Sequence, residues 1–227
     1  MTVELTAPAG PRPDVRRIQR RTLRLLFVTQ TIGGVGLTIG VTVGALLAAR
    51  LVGTGLSGLA QSSAVVGGAL LAVPVTRVMH ARGRRPGLVL AYLVGALGSV
   101  LIVLAAITRW APLLFAGMLL FGGSSTANLQ ARSTAVDLAE PARRGRQLSL
   151  IVWATTLGAV AAPNFAGLAD AAVAGLGSPP LSGPFLFSTI AFLVTATLLL
   201  VFLRPDPLLT ARRLAADSGP PPDDPAA

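Results

Sequence analysis

The sequence predicts an all-α membrane protein whose six transmembrane helices read as two sets of three. Three observations carry that expectation. The 227 residues are 52% hydrophobic and 12% charged, with a mean hydropathy of +0.70, whereas soluble domains average about a quarter charged residues. The apolar residues come in charge-free runs: residues 25–49, 51–76, 86–108, 110–131 and 147–169 each exceed 20 residues, and a sixth run covers 185–203. About 20 apolar residues suffice for a helix to cross a ~30 Å hydrocarbon core, and in lipid the backbone must satisfy itself as helix. The charges that remain are sorted by side.

Taken in order, residues 1–24 read as a basic tail. RRTLRLLF at 20–27 is similar to a twin-arginine signal, but the run behind it outlasts a signal's apolar region and five more spans follow. It is therefore read as the entry to a first membrane helix, residues 25–49. A second span covers 53–76. VTRVMHARGRRPG, residues 75–87, then packs Arg77, Arg82, Arg84 and Arg85 into one short patch. Four arginines at mid-bilayer would cost about 10 kcal/mol, so the patch belongs to a tight turn at the surface. Gly83 permits that turn, and Pro86 suits the first turn of the next helix. Spans three to six follow at 86–108, 110–131, 147–169 and 185–203, the last after a Gly/Pro-rich stretch. Residues 204–227, Pro/Asp-rich toward the end, are expected to be a disordered tail.

All nineteen basic residues are arginine. With six spans, seventeen fall on the side of the tails and only Arg50 and Arg109 on the other. That bias predicts cytoplasmic termini, in a bacterial inner membrane. It also explains the net charge of +10 without a nucleic-acid partner. Arginines beside anionic headgroups attract lipid by about 1 kcal/mol each, so the expected partner is the bilayer. Cysteine is absent and the one histidine, His80, lies in a loop. No pair of acids falls within a span. No metal site, cofactor or enzymatic chemistry is expected.

Several spans carry two faces. Span one has Gly36, Gly40 and Gly44 at four-residue spacing, which lets helices approach closely. Its second stripe is Gln30, Gly34, Thr38 and Thr42. Span five sets Ala154, Gly158, Ala162 and Ala166 against Trp153, Thr156, Val160 and Asn164. Span four aligns Ser124, Asn128 and Arg132, with Gln130 nearby. A small face and a polar face suggest packing on one side and a wet cavity on the other. Gln30, Thr38, Thr42, Asn128, Arg132, Thr156 and Asn164 are thus candidates to line a substrate cavity. The competing reading is that these groups bond neighbouring helices or their own backbone. Pro74 and Pro163 are expected to kink or interrupt spans two and five.

PVTRVMHARGRRP, residues 74–86, resembles the loop signature of the major facilitator superfamily. Gly83, Arg84 and Arg85 match the end of that motif. Thr76 stands in place of its first glycine, and His80-Ala81 in place of its Asp-Arg pair. GAVAAPNFAG, residues 158–167, is similar to the fifth-helix signature of antiporters through Gly158, Pro163 and Gly167. ARSTAVDLAEPARRGRQLS, residues 131–149, is similar to the loop between helices four and five. The resemblance implies that Asp137 and Arg144 pair charges at a cytoplasmic gate, and that Arg77, His80, Arg82, Gly83, Arg84 and Arg85 belong to the loop motif of that gate. It implies the N-terminal six-helix half of a twelve-helix carrier that moves a small-molecule substrate by alternating access. It further implies a second six-helix half, or self-association, as partner, or else a truncated transporter. A non-transporting assembly partner or a nonfunctional remnant is the alternative.

Overall fold

In the computed structural model, residues 13–174, 179 and 181–217 are described. Seven α-helices follow one another: α1 Pro13–Val52, α2 Thr54–Arg82, α3 Arg84–Thr108, α4 Ala111–Val136, α5 Arg144–Ala174, α6 Ser182–Phe202 and α7 Pro207–Asp217. A short 3-10 turn, Pro141–Arg143, precedes α5. The joints are minimal. Gly53 (φ 82°) and Gly83 (φ 100°) each connect two helices as a single residue in the left-handed half of φ space, where a side chain is disfavoured.

Five of these helices, α1, α2, α3, α5 and α6, are long and apolar enough to cross a membrane. The protein is a multi-pass, all-helical membrane bundle. The remaining long helix, α4, has 26 residues. It is free of charge over the stretch expected to span, but less apolar, because Ser124, Ser125, Thr126, Asn128 and Gln130 crowd its second half. Its neighbours explain how this is tolerated: α4 packs against α1, α2, α3 and α5, so its hydroxyls and amides meet protein rather than lipid. Thr126, for example, donates to the Gly68 carbonyl of α2 at 2.7 Å.

Other expectations need correcting. The chain is helical from Pro13, inside the supposed tail of residues 1–24, so α1 reaches 40 residues, about 60 Å at 1.5 Å per residue. Its first turns carry Arg16, Arg17, Arg20, Arg21 and Arg24, beyond the ~30 Å that hydrocarbon requires. The stretch from 204, expected to be disordered, contains α7, started by Asp206, whose carboxylate accepts from the Leu208 and Leu209 amides at 3.0 and 3.3 Å. Residues 218–227 lie outside the described set. Of the two outcomes expected for Pro74 and Pro163, a kink or an interruption, the structure excludes interruption, since both sit inside continuous helices.

The core lies where α1, α3, α4 and α6 meet. Tyr92, Phe121, Phe185 and Phe192 are fully buried there. Their ring centroids are 5.5–6.1 Å apart across the Phe121–Phe192, Tyr92–Phe192 and Phe121–Phe185 pairs, a spacing at which tilted rings attract. Gly40 of α1 faces the Phe121 ring with no room for a Cβ. Gly36 meets α6 through Phe192 and Ala191, and Gly44 meets Met118 of α4, so the three-glycine stripe packs as its spacing suggests.

Candidate functional site

A row of polar side chains crosses the bundle beside this core. Gln30 of α1, fully buried, donates through Nε2 to the Tyr92 hydroxyl of α3 at 2.9 Å. Asn128 of α4 donates through Nδ2 to Gln30 Oε1 at 3.1 Å and to Thr155 Oγ1 of α5 at 3.3 Å. Arg132, one turn further along α4, donates through Nη2 to Asn128 Oδ1 at 3.4 Å. Four helices thus contribute to one hydrogen-bonded chain, and every amide in it is oriented by its neighbours. Arg132 is half-buried, and its Nε is buried with no partner among the described residues. A guanidinium carries five N–H donors, and a buried one left unmet costs about 1–3 kcal/mol.

Of the residues predicted to line a cavity, Gln30, Asn128 and Arg132 are brought together. Thr38 is half-buried on α1. Thr42 and Thr156 are exposed, and their hydroxyls return to their own helices at Thr38 O and Val152 O. Asn164 is exposed on α5. The two-faced reading of α5 holds in its packing. Ala154 and Ala162 are buried and Gly158 presses on the α1 backbone at Thr31 and Val35, while Trp153 (64%) and Val160 (70%) are exposed. A Cβ at Gly167 would meet nothing from other elements among the described residues. Sequence reasoning missed Tyr92 and Thr155. Tyr92 carried a signal, since a lone phenol inside an apolar span needs an acceptor or donor. Thr155 carried none that distinguished it from Thr156.

The arginine-rich end holds a second network. Arg84 grips Asp137 with both arms of its fork, Nε to Oδ2 at 2.8 Å and Nη2 to Oδ1 at 3.0 Å, and the two side chains are only 13% and 10% exposed. Its Nη1 reaches Gln130 Oε1 at 3.4 Å, and Gln130 Nε2 donates to Thr76 Oγ1 at 2.9 Å. This corrects the expected partner of Asp137: it is Arg84, while Arg144 is exposed at the start of α5. Arg85 donates its backbone amide to Asp206 Oδ2 at 2.8 Å and its Nε to Leu200 O at 2.7 Å. Asp206 therefore serves the N-termini of both α3 and α7. Gly83 lies so close to that carboxylate that a Cβ would collide with it.

His80, expected in a loop, lies with Arg77 and Arg82 in the last turns of α2; all three are exposed, and the His80 carbonyl accepts from Arg212 Nη1 of α7 at 2.9 Å. Glu140 pairs with Arg16 at 3.3 Å and Arg143 at 3.1 Å. Gln19 Nε2 ties α1 to Ala135 O and to Gln147 Oε1, both at 2.6 Å. Loop, tail and α1 are thereby fastened together at one end. Among the described residues, no group of three His, Asp or Glu side chains is placed to hold a metal ion.

The chain is 37% identical over 209 residues to the uncharacterized MFS-type transporter YdeG of Bacillus subtilis, covering 92% of this chain and 49% of that protein. It is 36% identical over 200 residues to the uncharacterized MFS-type transporter YddS of the same organism, covering 88% and 46%. No protein-family model matches the chain, and no solved structure matches it. The chain spans about half the length of these curated relatives.

Proposed function

We propose that the chain, similar to two MFS-type transporters over about half of their length, forms one six-helix half of a carrier moving a small solute by alternating access. The observation that carries this reading is the Tyr92–Gln30–Asn128–Arg132 row, with one buried guanidinium N–H still unmet. Buried polar groups that serve packing alone are normally satisfied within the fold. In the proposed carrier, Arg132 and Asn128 face a cavity shared with a second half, and the Arg84–Asp137 pair holds the gate end of α3 against α4. The seventeen-to-two distribution of arginines supports cytoplasmic placement of that end, and so of both termini, in an inner membrane.

Burial supports the place of the second half. Only 17% of the most apolar stretch of α2 and 22% of that of α5 is buried within the chain, against 56% for α1 and α3. The two uncovered helices flank α4, which touches both, and they would supply the walls of the interface.

The test is reconstitution of the chain in proteoliposomes, alone and co-expressed with a second six-helix half, followed by uptake of a solute panel. Transport by the pair, abolished by Arg132→Ala, is expected. A pair that moves no solute sinks the transporter reading, and full transport by the chain alone removes the need for a second half. Transport unchanged by Arg132→Ala would demote that residue to a topology anchor.

A further inference from the structure

The two arginines that defy the charge sorting end up at one place. Arg50 lies in the last turn of α1, and Arg109 caps the C-terminus of α3. Together with Leu47, Leu51, Ala106 and Pro179 they line a cavity of about 450 Å³. Leu47 and Ala106, both buried, form its floor, and the guanidinium-bearing residues are exposed at its sides. Among the described residues, neither arginine has a hydrogen-bond or ion-pair partner. The carboxylates with described side chains are engaged elsewhere: Asp137 by Arg84, Glu140 by Arg16 and Arg143, Asp170 by the Leu181 amide, and Asp206 by Arg85 and α7.

Two further features set these positions apart from ordinary helix ends. Arg109 adopts left-handed backbone geometry, φ 56° and ψ 28°, where glycine is the usual residue and another L-residue costs about 1–2 kcal/mol. Both arginines also sit on the arginine-poor end, so they oppose the bias that orients the protein. Helix C-termini favour a cation, but that effect satisfies no guanidinium donor and does not require two arginines to converge on one opening. A cavity of this size is within the range of small-ligand sites.

We propose that this cavity binds an oxyanion, a phosphate or carboxylate group held between Arg50 and Arg109. Bidentate guanidinium contacts suit that planar or tetrahedral arrangement of oxygens. The group comes either from a soluble anion or from a lipid headgroup, and the two sources are separable. The site stands apart from the central polar row, so it does not depend on the transport reading.

Trp110 follows Arg109 and is 58% exposed, and Trp153 is the one other tryptophan. In a Trp153→Phe background, Trp110 fluorescence reports on the cavity. The chain is placed in phosphatidylcholine nanodiscs and titrated with inorganic phosphate at constant ionic strength. A saturable change is expected, weakened about tenfold in Arg50→Gln and in Arg109→Gly, the loss of a charge-assisted contact, and unaltered in Arg213→Gln at the opposite end. Arg109→Gly relieves the left-handed strain, so its thermal stability should match or exceed that of the background, which separates lost binding from lost folding. A change that needs phosphatidylglycerol in the disc, rather than soluble phosphate, assigns the same site to a lipid headgroup. No response to either source overturns the proposal, as does a response that survives in the Arg50→Gln/Arg109→Gly double variant.

Discussion

Asn128 is the residue on which the central row turns, because its amide meets Gln30, Thr155 and Arg132 at once. Asn128→Ala strands the Gln30 carbonyl oxygen and loosens Arg132. Interhelical hydrogen bonds in membranes average about 0.6 kcal/mol and reach about 1.7, so a loss of about 1 kcal/mol is expected in a denaturant titration of the purified chain. Thr42→Ala and Thr156→Val, which give up bonds to their own helices, should stay within about 0.5 kcal/mol. A larger effect at either threonine would restore it to the site. At the other network, Asp137→Ala leaves the Arg84 guanidinium unpaired at 13% exposure, which should cost about 3 kcal/mol. Arg144→Ala should cost nothing measurable. If the two costs were reversed, the pairing implied by the family loop would be right and the Arg84 fork wrong.

Among the helices, α5 best separates packing from function. Its small face presses on α1 so closely that Gly158 has no room for a Cβ beside the Thr31 carbonyl, whereas a Cβ at Gly167 would meet no other element among the described residues. Gly158→Leu should lower stability by about 2 kcal/mol, the usual scale of overpacking. Gly167→Leu should leave the chain's stability untouched. If Gly167 serves the proposed interface, transport by the assembled pair falls while the isolated chain melts as before. The helix pattern alone predicted the split of α5 into two faces. It did not predict α7, although Asp206-Pro207 is a readable start signal, an acidic cap followed by proline in the first turn. The Pro/Asp-rich residues that follow mask that signal in the composition.

At the scale of the whole molecule, the uncovered faces of α2 and α5 are the testable feature. Val65 and Val160 are 73% and 70% exposed, so bulk at either position disturbs little inside the chain. Val65→Trp and Val160→Trp are expected to weaken co-purification of a second six-helix half about tenfold, with the chain's own melting temperature unchanged. Leu200→Trp, on the exposed side of α6, serves as the comparison and should have no effect. Unimpaired association in both valine variants would make those faces lipid-facing.

The medium, the succession of long helices and the sorting of arginines toward one end were legible in the sequence, because each depends only on composition along the chain and on the energy of moving charge into hydrocarbon. So were the glycine stripes, whose spacing is a property of one helix. Partners across helices were not legible. Thr155 and Thr156 are adjacent and chemically alike, yet one meets Asn128 and the other faces outward, because the turn of about 100° between them points them at different neighbours. Asp137 finds Arg84 across 53 residues of chain rather than Arg144 seven residues away. Arg50 and Arg109 were no more than topological exceptions until the fold set them around one cavity. Periodicity defines the faces of a helix, and only the packing of helices decides what stands opposite each face.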